Sequence, residues 1–264
     1  MPGPRKNPIR AALARKRLSV GIFQLLADRA STEVLLGNGF EWILVDAEHR
    51  PLNPETVEDL VRAAQGCGPD KGAFVRVRET GRGAIQYALE TGADGVLVPL
   101  VGSREQAEEV AALTHYPPQG TRGLNGGTRA AGWGQKDPAA YARAVNRNLV
   151  VAVQIETVSG LEAVEGIAAV KGIDMLYIGP FDLSHGMGLT GQLDHPEVRK
   201  AFARVFAAGR KHGKWLGVLA PNVPFAQWCL GQGVRFLTYL SDTRLLKNSV
   251  QREVEALRGL RAKR

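Results

Sequence analysis

Short apolar runs alternate with longer amphipathic segments along this 264-residue chain, and this alternation limits the possible folds more than any other feature. The apolar runs predict eight strands, at 20–25, 42–46, 73–78, 95–99, 149–155, 173–178, 215–220 and 235–240. Segments with helical periodicity follow them, at 31–38, 54–65, 81–91, 104–113, 158–169, 196–212, 223–232 and 242–259. Because the apolar runs are short and lie between Gly- and Pro-rich breaks, their length favours strands over buried helices.

Strands that alternate with helices predict a parallel sheet covered by helices. Eight such units are the number found in a (β/α)8 barrel, the TIM barrel. We therefore predict a basic N-terminal tail at 1–17 and one α/β domain, a (β/α)8 TIM barrel, at 18–260. An open doubly wound sheet is the alternative arrangement of the same elements.

The net charge of +8 would suit a nucleic-acid-binding protein, but its distribution argues against one. Residues 1–17 contain six basic residues and no acid, and residues 244–264 contain seven basic residues and two acids. The rest of the chain therefore has a net charge of −3. We expect no nucleic-acid partner, although basic ends that bind nucleic acid or an acidic protein remain a non-enzymatic alternative.

The sequence also predicts a cytoplasmic location. No apolar run is long enough to cross a membrane, and the first 17 residues lack the apolar core of a signal peptide. Cys67 and Cys229 lie far apart and form no CxxC motif, which is typical of reduced thiols. We expect no membrane partner.

Polar side chains occur where several predicted strands end, which is where the active sites of such barrels lie. They are Asp46, Glu48 and His49 after the second strand, Arg76 near the end of the third, Gln154 and Glu156 at the end of the fifth, and Asp182 after the sixth. Because the strand ends meet at one mouth of the barrel, these side chains are predicted to form a single site.

The types of side chain indicate the chemistry. Glu156 and Asp182 follow adjacent strands and suit a hard cation such as Mg²⁺ or Mn²⁺, with Co²⁺ or Zn²⁺ as further choices. Arg76 offers donors to an oxyanion, and His49 titrates in the range of a general base. A metal and an arginine together can stabilise an enolate while a histidine moves its proton.

Each of these residues also has a structural interpretation. Asp182 and Glu156 could cap helices, Arg76 could pair with Asp46, and His49 could be a solvated loop residue. A lysine Schiff base is the rival way to stabilise an enolate, but none of the ten lysines is predicted at the carboxyl end of a strand.

The irregular stretch 114–137 contains Arg122 and Arg129 and is rich in glycine. It matches neither the dinucleotide-binding nor the P-loop glycine pattern, so we predict a loop that closes over the site. Its two arginines are expected either to contact an anionic substrate or to be solvated.

Several strings together resemble the HpcH/HpaI family of metal-dependent class II pyruvate aldolases, almost collinearly from about residue 18 to 258. They include VDAEHRPLN, ALETGADGVLVPLV, YPPQGTRG, VQIET and IGPFDLS. The resemblance implies a barrel of the phosphoenolpyruvate/pyruvate type. It also implies a homo-oligomer, typically a hexamer or trimer of dimers, whose subunits exchange helices.

The resemblance also assigns roles to residues. It implies that His49 is the base, Arg76 the stabiliser of the transition state, Asp46 a support of the centre, Glu156 and Asp182 the metal ligands, and Gln154 and Phe181 contacts of pyruvate. Specificity for the aldehyde would lie around Leu219, at the end of the seventh strand, and in the long loop.

Glu90 departs from the pattern, because the family carries Asp at this position, where it pairs with the base histidine. Glu90 closes the third predicted helix, at the opposite end of its own barrel from His49. It could therefore reach only the histidine of a neighbouring subunit, and the alternative is an exposed helical glutamate.

The predicted function is a carbon–carbon lyase that cleaves or forms 4-hydroxy-2-oxo acids from pyruvate and an aldehyde through a pyruvate enolate. The alternative enzyme is a related lyase or condensing enzyme that acts on oxaloacetate or an acyl-CoA on the same barrel.

Overall fold

Eight parallel strands close into a barrel in the computed structural model, which describes residues 5–260. The strands are β1 (Ser19–Gln24), β2 (Trp42–Asp46), β3 (Gly72–Arg76), β4 (Gly95–Val98), β5 (Val150–Ile155), β6 (Met175–Ile178), β7 (Trp215–Ala220) and β8 (Phe236–Ser241). Each strand pairs with the next in the chain, and β8 pairs with β1. The (β/α)8 barrel is therefore confirmed, and the open doubly wound sheet is wrong.

Helices surround the barrel and cover the ends of its strands. They are α1 (Pro8–Ala14), α2 (Arg29–Gly37), α3 (Pro54–Gly66), α4 (Arg82–Glu90), α5 (Arg104–Thr114), α6 (Pro138–Asn148), α7 (Val158–Glu162), α8 (Val164–Ala168), α9 (Pro180–Gly186), α10 (Pro196–Lys211), α11 (Val223–Gly231) and α12 (Asp242–Arg258). The segment predicted as one helix at 158–169 is divided at Ala163. The helices α1, α6 and α9 were not predicted from the sequence. Within residues 5–260, no helix is long and apolar enough to cross a membrane.

The interior of the barrel is filled by large apolar side chains. Trp42 and Leu44 of β2 and Phe74 of β3 belong to this inner cluster, and the Trp42 ring stacks on Phe236 with 3.9 Å between centroids. Gly21 makes room for the indole, since a Cβ atom there would lie 2.1 Å from the Trp42 ring. The interior of the barrel is thus a packed core and not a pore.

The amino-terminal end of the barrel is closed by α1, which lies in the stretch predicted as a basic tail. Ile9 and Leu13 are almost completely buried and join the inner cluster, because their apolar side chains cover the floor of the barrel. Three arginines pair with carboxylates that precede even-numbered strands: Arg17 with Glu41 (2.6 Å), Arg5 with Asp94 (2.9 Å) and Arg10 with Asp174 (3.0 Å). The part of the predicted tail at residues 1–4 lies outside the described residues.

Candidate active site

Strand parity brings four polar side chains to the mouth of the barrel. Alternate residues of a strand point to the same side of the sheet, so the residue two positions after an inward-facing apolar residue also faces the barrel interior. At the carboxyl ends of the strands this position is polar in four cases, and all four side chains are buried: Asp46, Arg76, Gln154 and Glu156. The same alternation that packs the barrel therefore places the polar groups together.

Arg76 is held by two carboxylates. Its Nε and Nη2 donate to Oδ1 and Oδ2 of Asp46 at 3.0 and 2.8 Å, and its Nη1 lies 3.0 Å from Oε2 of Glu48. Burial alone would lower the pKa of the guanidinium, but the hydrogen bonds and charges of Asp46 and Glu48 outweigh it and raise that pKa. The structural interpretation of Arg76, an ion pair with Asp46, is therefore correct, and Arg76 also lines the cavity at the mouth.

The carboxylate of Glu156 is fixed on both sides. Its Oε1 accepts a hydrogen bond from the backbone N–H of Leu100 at 2.8 Å, and its Oε2 accepts one from the side-chain amide of Gln154. Leu100 has φ 56°, a left-handed conformation that non-glycine residues rarely adopt. Gly179 allows the backbone after β6 to approach closely, because a Cβ atom there would lie 2.6 Å from Glu156 Oε2.

The charge balance around Glu156 fits a cation. Burial raises the pKa of this carboxyl group to about 7, and the negative charges of Glu48 and Asp182 contribute to the increase. Glu156 and Asp182 offer the oxygen ligands that hard divalent cations prefer. Within residues 5–260, no three His, Cys, Asp or Glu side chains are arranged to hold a metal ion together. Two carboxylates would thus leave positions open for other ligands.

Asp182 lies in the first turn of α9 and is not its N-cap. Gly179 occupies the N-cap position, and no side chain caps this helix. The interpretation of Asp182 as a helix cap is therefore wrong. Asp182 instead lines the cavity at the mouth.

This cavity has a volume of about 400 Å³. Seven predicted site residues line it: Asp46, His49, Arg76, Gln154, Phe181, Asp182 and Leu219. The His49 side chain is 64% exposed, and its Nε2 lies 3.9 Å from Oε2 of Glu48. The histidine is therefore open to a ligand that enters the cavity.

Glu90 and the two loop arginines lie elsewhere. Glu90 ends α4, which returns to the amino-terminal edge of the barrel, and its Oε1 accepts a hydrogen bond from Arg122 at 3.1 Å. Its Oε2 is buried and has no hydrogen-bond partner among residues 5–260. Arg129 donates to Thr91 and Gln65. Arg122 is buried and Arg129 is half-buried, protein partners hold both, and neither lines the cavity at the mouth of its own barrel.

Glu48 was predicted at the mouth of the barrel but without a role, and the structure shows that it contacts Arg76. Other groups in the cavity wall were not predicted. Arg50 and Arg244 line the cavity. Arg50 directly follows His49 in the string VDAEHRPLN, which could have indicated it, whereas no motif of the sequence marks Arg244. Leu240 lines the cavity with φ 55°, a backbone conformation for which the sequence carries no signal.

Comparison with known proteins decides the family. The family model for HpcH/HpaI aldolase/citrate lyase matches residues 19–249. The chain belongs to this family. It is 36% identical over 252 residues to the 5-keto-4-deoxy-D-glucarate aldolase of Klebsiella pneumoniae, covering 96% of this chain and 97% of that one.

Two solved structures agree with the assignment to the HpcH/HpaI aldolase/citrate lyase family. A family protein from Burkholderia cenocepacia J2315 superposes with a TM-score of 0.91 at 30% identity, covering 96% of this chain and 100% of that chain. The citrate synthase SbnG superposes with a TM-score of 0.86 at 28% identity, covering 94% and 96%. The predictions of the family, of an enzyme and of a carbon–carbon lyase are confirmed.

Proposed function

We propose that this chain is a divalent-metal-dependent aldolase that cleaves or forms 4-hydroxy-2-oxo acids, with pyruvate and an aldehyde as the two fragments. The observation that carries the proposal is the arrangement at one mouth of the barrel. There, an arginine held by Asp46 and Glu48 lines the same cavity as an exposed histidine and Asp182. The carboxyl group of Glu156 lies close enough to Arg76, Glu48 and Asp182 for their charges to act on its pKa. Similarity to a named aldolase over nearly the whole chain supports it.

Glu156 and Asp182 would hold the cation, which we propose to be Mg²⁺ or Mn²⁺. When bound, such an ion supplies Lewis-acid stabilisation of negative charge on oxygen. The fixed orientation of Glu156 and its raised pKa support this role, since a carboxylate that is costly to ionise alone gains most from a cation beside it.

The residues of the chain supply the remaining steps. His49 removes the proton from the 4-hydroxyl group, the C3–C4 bond breaks, and its electron pair moves to form the enolate of pyruvate. The aldehyde leaves with the new carbonyl group. Arg76 faces the enolate oxygen with donors that Asp46 keeps oriented, and protonation at C3 completes the release of pyruvate. Gln154, Phe181 and Leu219 would contact the substrate from the wall of the cavity.

We further propose a homo-oligomer, a hexamer or trimer of dimers, in which Glu90 meets His49 of a neighbouring subunit. The helix α12 supports an oligomer, because Asp242 alone among its residues is buried while Leu246, Val250 and Leu257 are at least half exposed. The unpartnered Oε2 of Glu90 supports its role, since a histidine of another subunit could donate to it.

A cytoplasmic location is part of the proposal and is supported by the free thiols of Cys67 and Cys229.

The direct test is the release of pyruvate from 4-hydroxy-2-oxoglutarate, followed with lactate dehydrogenase. Protein stripped with EDTA should be inactive, and Mg²⁺ or Mn²⁺ should restore its activity. Pyruvate release that is absent under every metal condition would contradict the proposal, and so would release that EDTA leaves unchanged.

The similarity to a citrate synthase favours one second candidate, a condensing enzyme that acts on oxaloacetate or an acyl-CoA. Incubation with oxaloacetate and acetyl-CoA separates the two. Release of free CoA thiol that depends on both substrates would support the condensing enzyme. Its absence, together with metal-dependent aldol cleavage, would support the aldolase.

A further inference from the structure

Two guanidinium groups at the mouth of the barrel have no acidic partner in the described chain. Arg50 and Arg244 are exposed and line the same cavity as His49. Within residues 5–260, no carboxylate lies within ion-pairing distance of either one. The acids that line this cavity are Asp46, which is bound to Arg76, and Asp182, which the proposed function assigns to a cation.

The backbone on which each arginine stands is anchored. The carboxylate of Asp46 accepts hydrogen bonds from the backbone N–H groups of Glu48 and His49 at 3.1 and 3.2 Å, which fixes the loop directly before Arg50.

The start of α12 is anchored in a similar way. The carboxylate of Asp242 accepts hydrogen bonds from the backbone of Leu25 and Leu26, after β1, at 3.1 and 2.9 Å. The side chain of Ser241 caps the helix by accepting from the backbone N–H of Arg244 at 3.3 Å. The backbone that carries each arginine is therefore anchored, one after β2 and one after β8, on opposite sides of the strand β1.

The cavity already contains a buried arginine, Arg76, for the pyruvate half of the substrate. Arg76 is buried and lies between the carboxylates of Asp46 and Glu48, whereas Arg50 and Arg244 lie at the rim. The same cavity wall carries the apolar side chains of Leu219 and Leu240. With the pyruvate half of the substrate at Arg76 and the reacting carbons at His49, the proposed site leaves the two exposed arginines for the far end of the aldehyde half.

We propose that Arg50 and Arg244 form a carboxylate subsite, so that the preferred aldehyde fragment carries a carboxylate. The proposal rests on the proposed aldolase function and adds the chemical class of the second fragment. Arginine suits this task because its planar donors match the two oxygens of a carboxylate.

The test compares aldol addition of pyruvate to matched aldehydes. Glyoxylate is paired with glycolaldehyde, and succinic semialdehyde with butanal, so that each pair has the same number of carbons with and without the charge. The double variant Arg50→Gln/Arg244→Gln should lower kcat/KM by at least about tenfold for the charged aldehydes. It should change kcat/KM for the neutral aldehydes by less than about twofold. The variant Arg50→Lys/Arg244→Lys should recover part of the loss, because it retains the charge.

Two controls keep the outcomes distinct. Arg143→Gln, an exposed arginine on α6 outside the cavity, should leave all four rates unchanged. Metal-dependent exchange of the methyl protons of pyruvate in D₂O should be the same in the double variant as in the unmodified enzyme. Equal losses for charged and neutral aldehydes, or no loss for the charged ones, would overturn the subsite alone. Failure of the unmodified enzyme to exchange pyruvate protons would overturn the aldolase and the subsite together.

Discussion

Arg76 donates two parallel hydrogen bonds to Asp46 from the adjacent strand, at 3.0 and 2.8 Å, and both side chains are almost completely buried. The two residues stand directly opposite each other in the register of β2 and β3. This pairing fixes the plane of the guanidinium, whose third nitrogen, Nη1, lies 3.0 Å from Oε2 of Glu48, and Arg76 lines the cavity at the mouth.

The first prediction concerns Asp46→Asn. An asparagine presents one amide group to a guanidinium that needs two acceptors, so Arg76 loses its orientation. We expect kcat to fall by about 100-fold. The free energy of unfolding should fall by about 3 kcal/mol, because a buried ion pair is broken. Steady-state kinetics and urea unfolding measure both effects. Asp59→Asn, which disrupts the exposed pair with Arg29, is the matched control and should alter neither. An unchanged kcat in Asp46→Asn would refute the positioning role.

The second prediction concerns pH and stability. In the folded metal-free protein the pKa of Glu156 is raised from 4.5 to about 7, mainly by burial. The folded state therefore binds more protons than the unfolded state between these values, and the free energy of unfolding falls as the pH rises from about 4.5 to about 7. Glu156→Gln should lose this part of the slope, and Mg²⁺ should stabilise the unmodified protein more at pH 8 than at pH 5.5. Urea unfolding of the unmodified protein and of Glu156→Gln, measured across this pH range, tests the prediction. If the free energy of unfolding changes with pH equally in the two proteins, the prediction is wrong.

The third prediction concerns the floor of the barrel. Leu13 of α1 is 1% exposed and packs in the inner cluster, so Leu13→Ala should lower the free energy of unfolding by about 2–5 kcal/mol. Leu246→Ala is the control, since that leucine is 57% exposed in the subunit. It should leave the stability of the isolated subunit nearly unchanged. Denaturant titration measures the free energy of unfolding of both variants. If Leu13→Ala leaves it unchanged, α1 is a loosely attached tail and not part of the core.

The fourth prediction concerns the subunits of the proposed oligomer. Oligomers made only of Glu90→Ala subunits, or only of His49→Ala subunits, should have lower activity than the unmodified enzyme. If the site combines His49 of one subunit with Glu90 of the next, mixed oligomers regain some complete sites. Mixing the two variants after reversible dissociation should restore a measurable part of the activity. Activity of the mixture equal to the mean of the two variants would show that Glu90 does not act across subunits.

The sequence was sufficient to predict the barrel and the residues at its mouth because one pattern encodes both. In β2, Trp42 and Leu44 face the barrel interior, and Asp46, two residues further on, faces the same way. A strand that is recognised from its apolar residues therefore also shows where the side chain of its last acid lies. The same reasoning places Arg76, Gln154 and Glu156. Predicted bounds of the strands differed from those of the structure by no more than about two residues, which is the usual uncertainty of element ends.

Other features could not be predicted because they depend on contacts distant in the sequence. The role of α1 depends on ion pairs such as Arg10 with Asp174, and composition alone suggested a basic tail. Arg122 looked like a substrate contact, but Glu90 holds it at the other end of the barrel. The positive φ of Leu100 and Leu240 leaves no trace in residue type, although both lie beside the site.

The central claim is that the mouth of this barrel forms and stabilises the enolate of pyruvate, with Glu156 as a ligand of the required cation. Exchange of the methyl protons of pyruvate in D₂O, followed by proton NMR, tests it without any aldehyde. We predict exchange with Mg²⁺ or Mn²⁺, none after EDTA, and none in Glu156→Gln at any concentration of metal that supports the unmodified protein. Absence of exchange in the unmodified protein with metal, or full metal-dependent exchange in Glu156→Gln, would contradict the account.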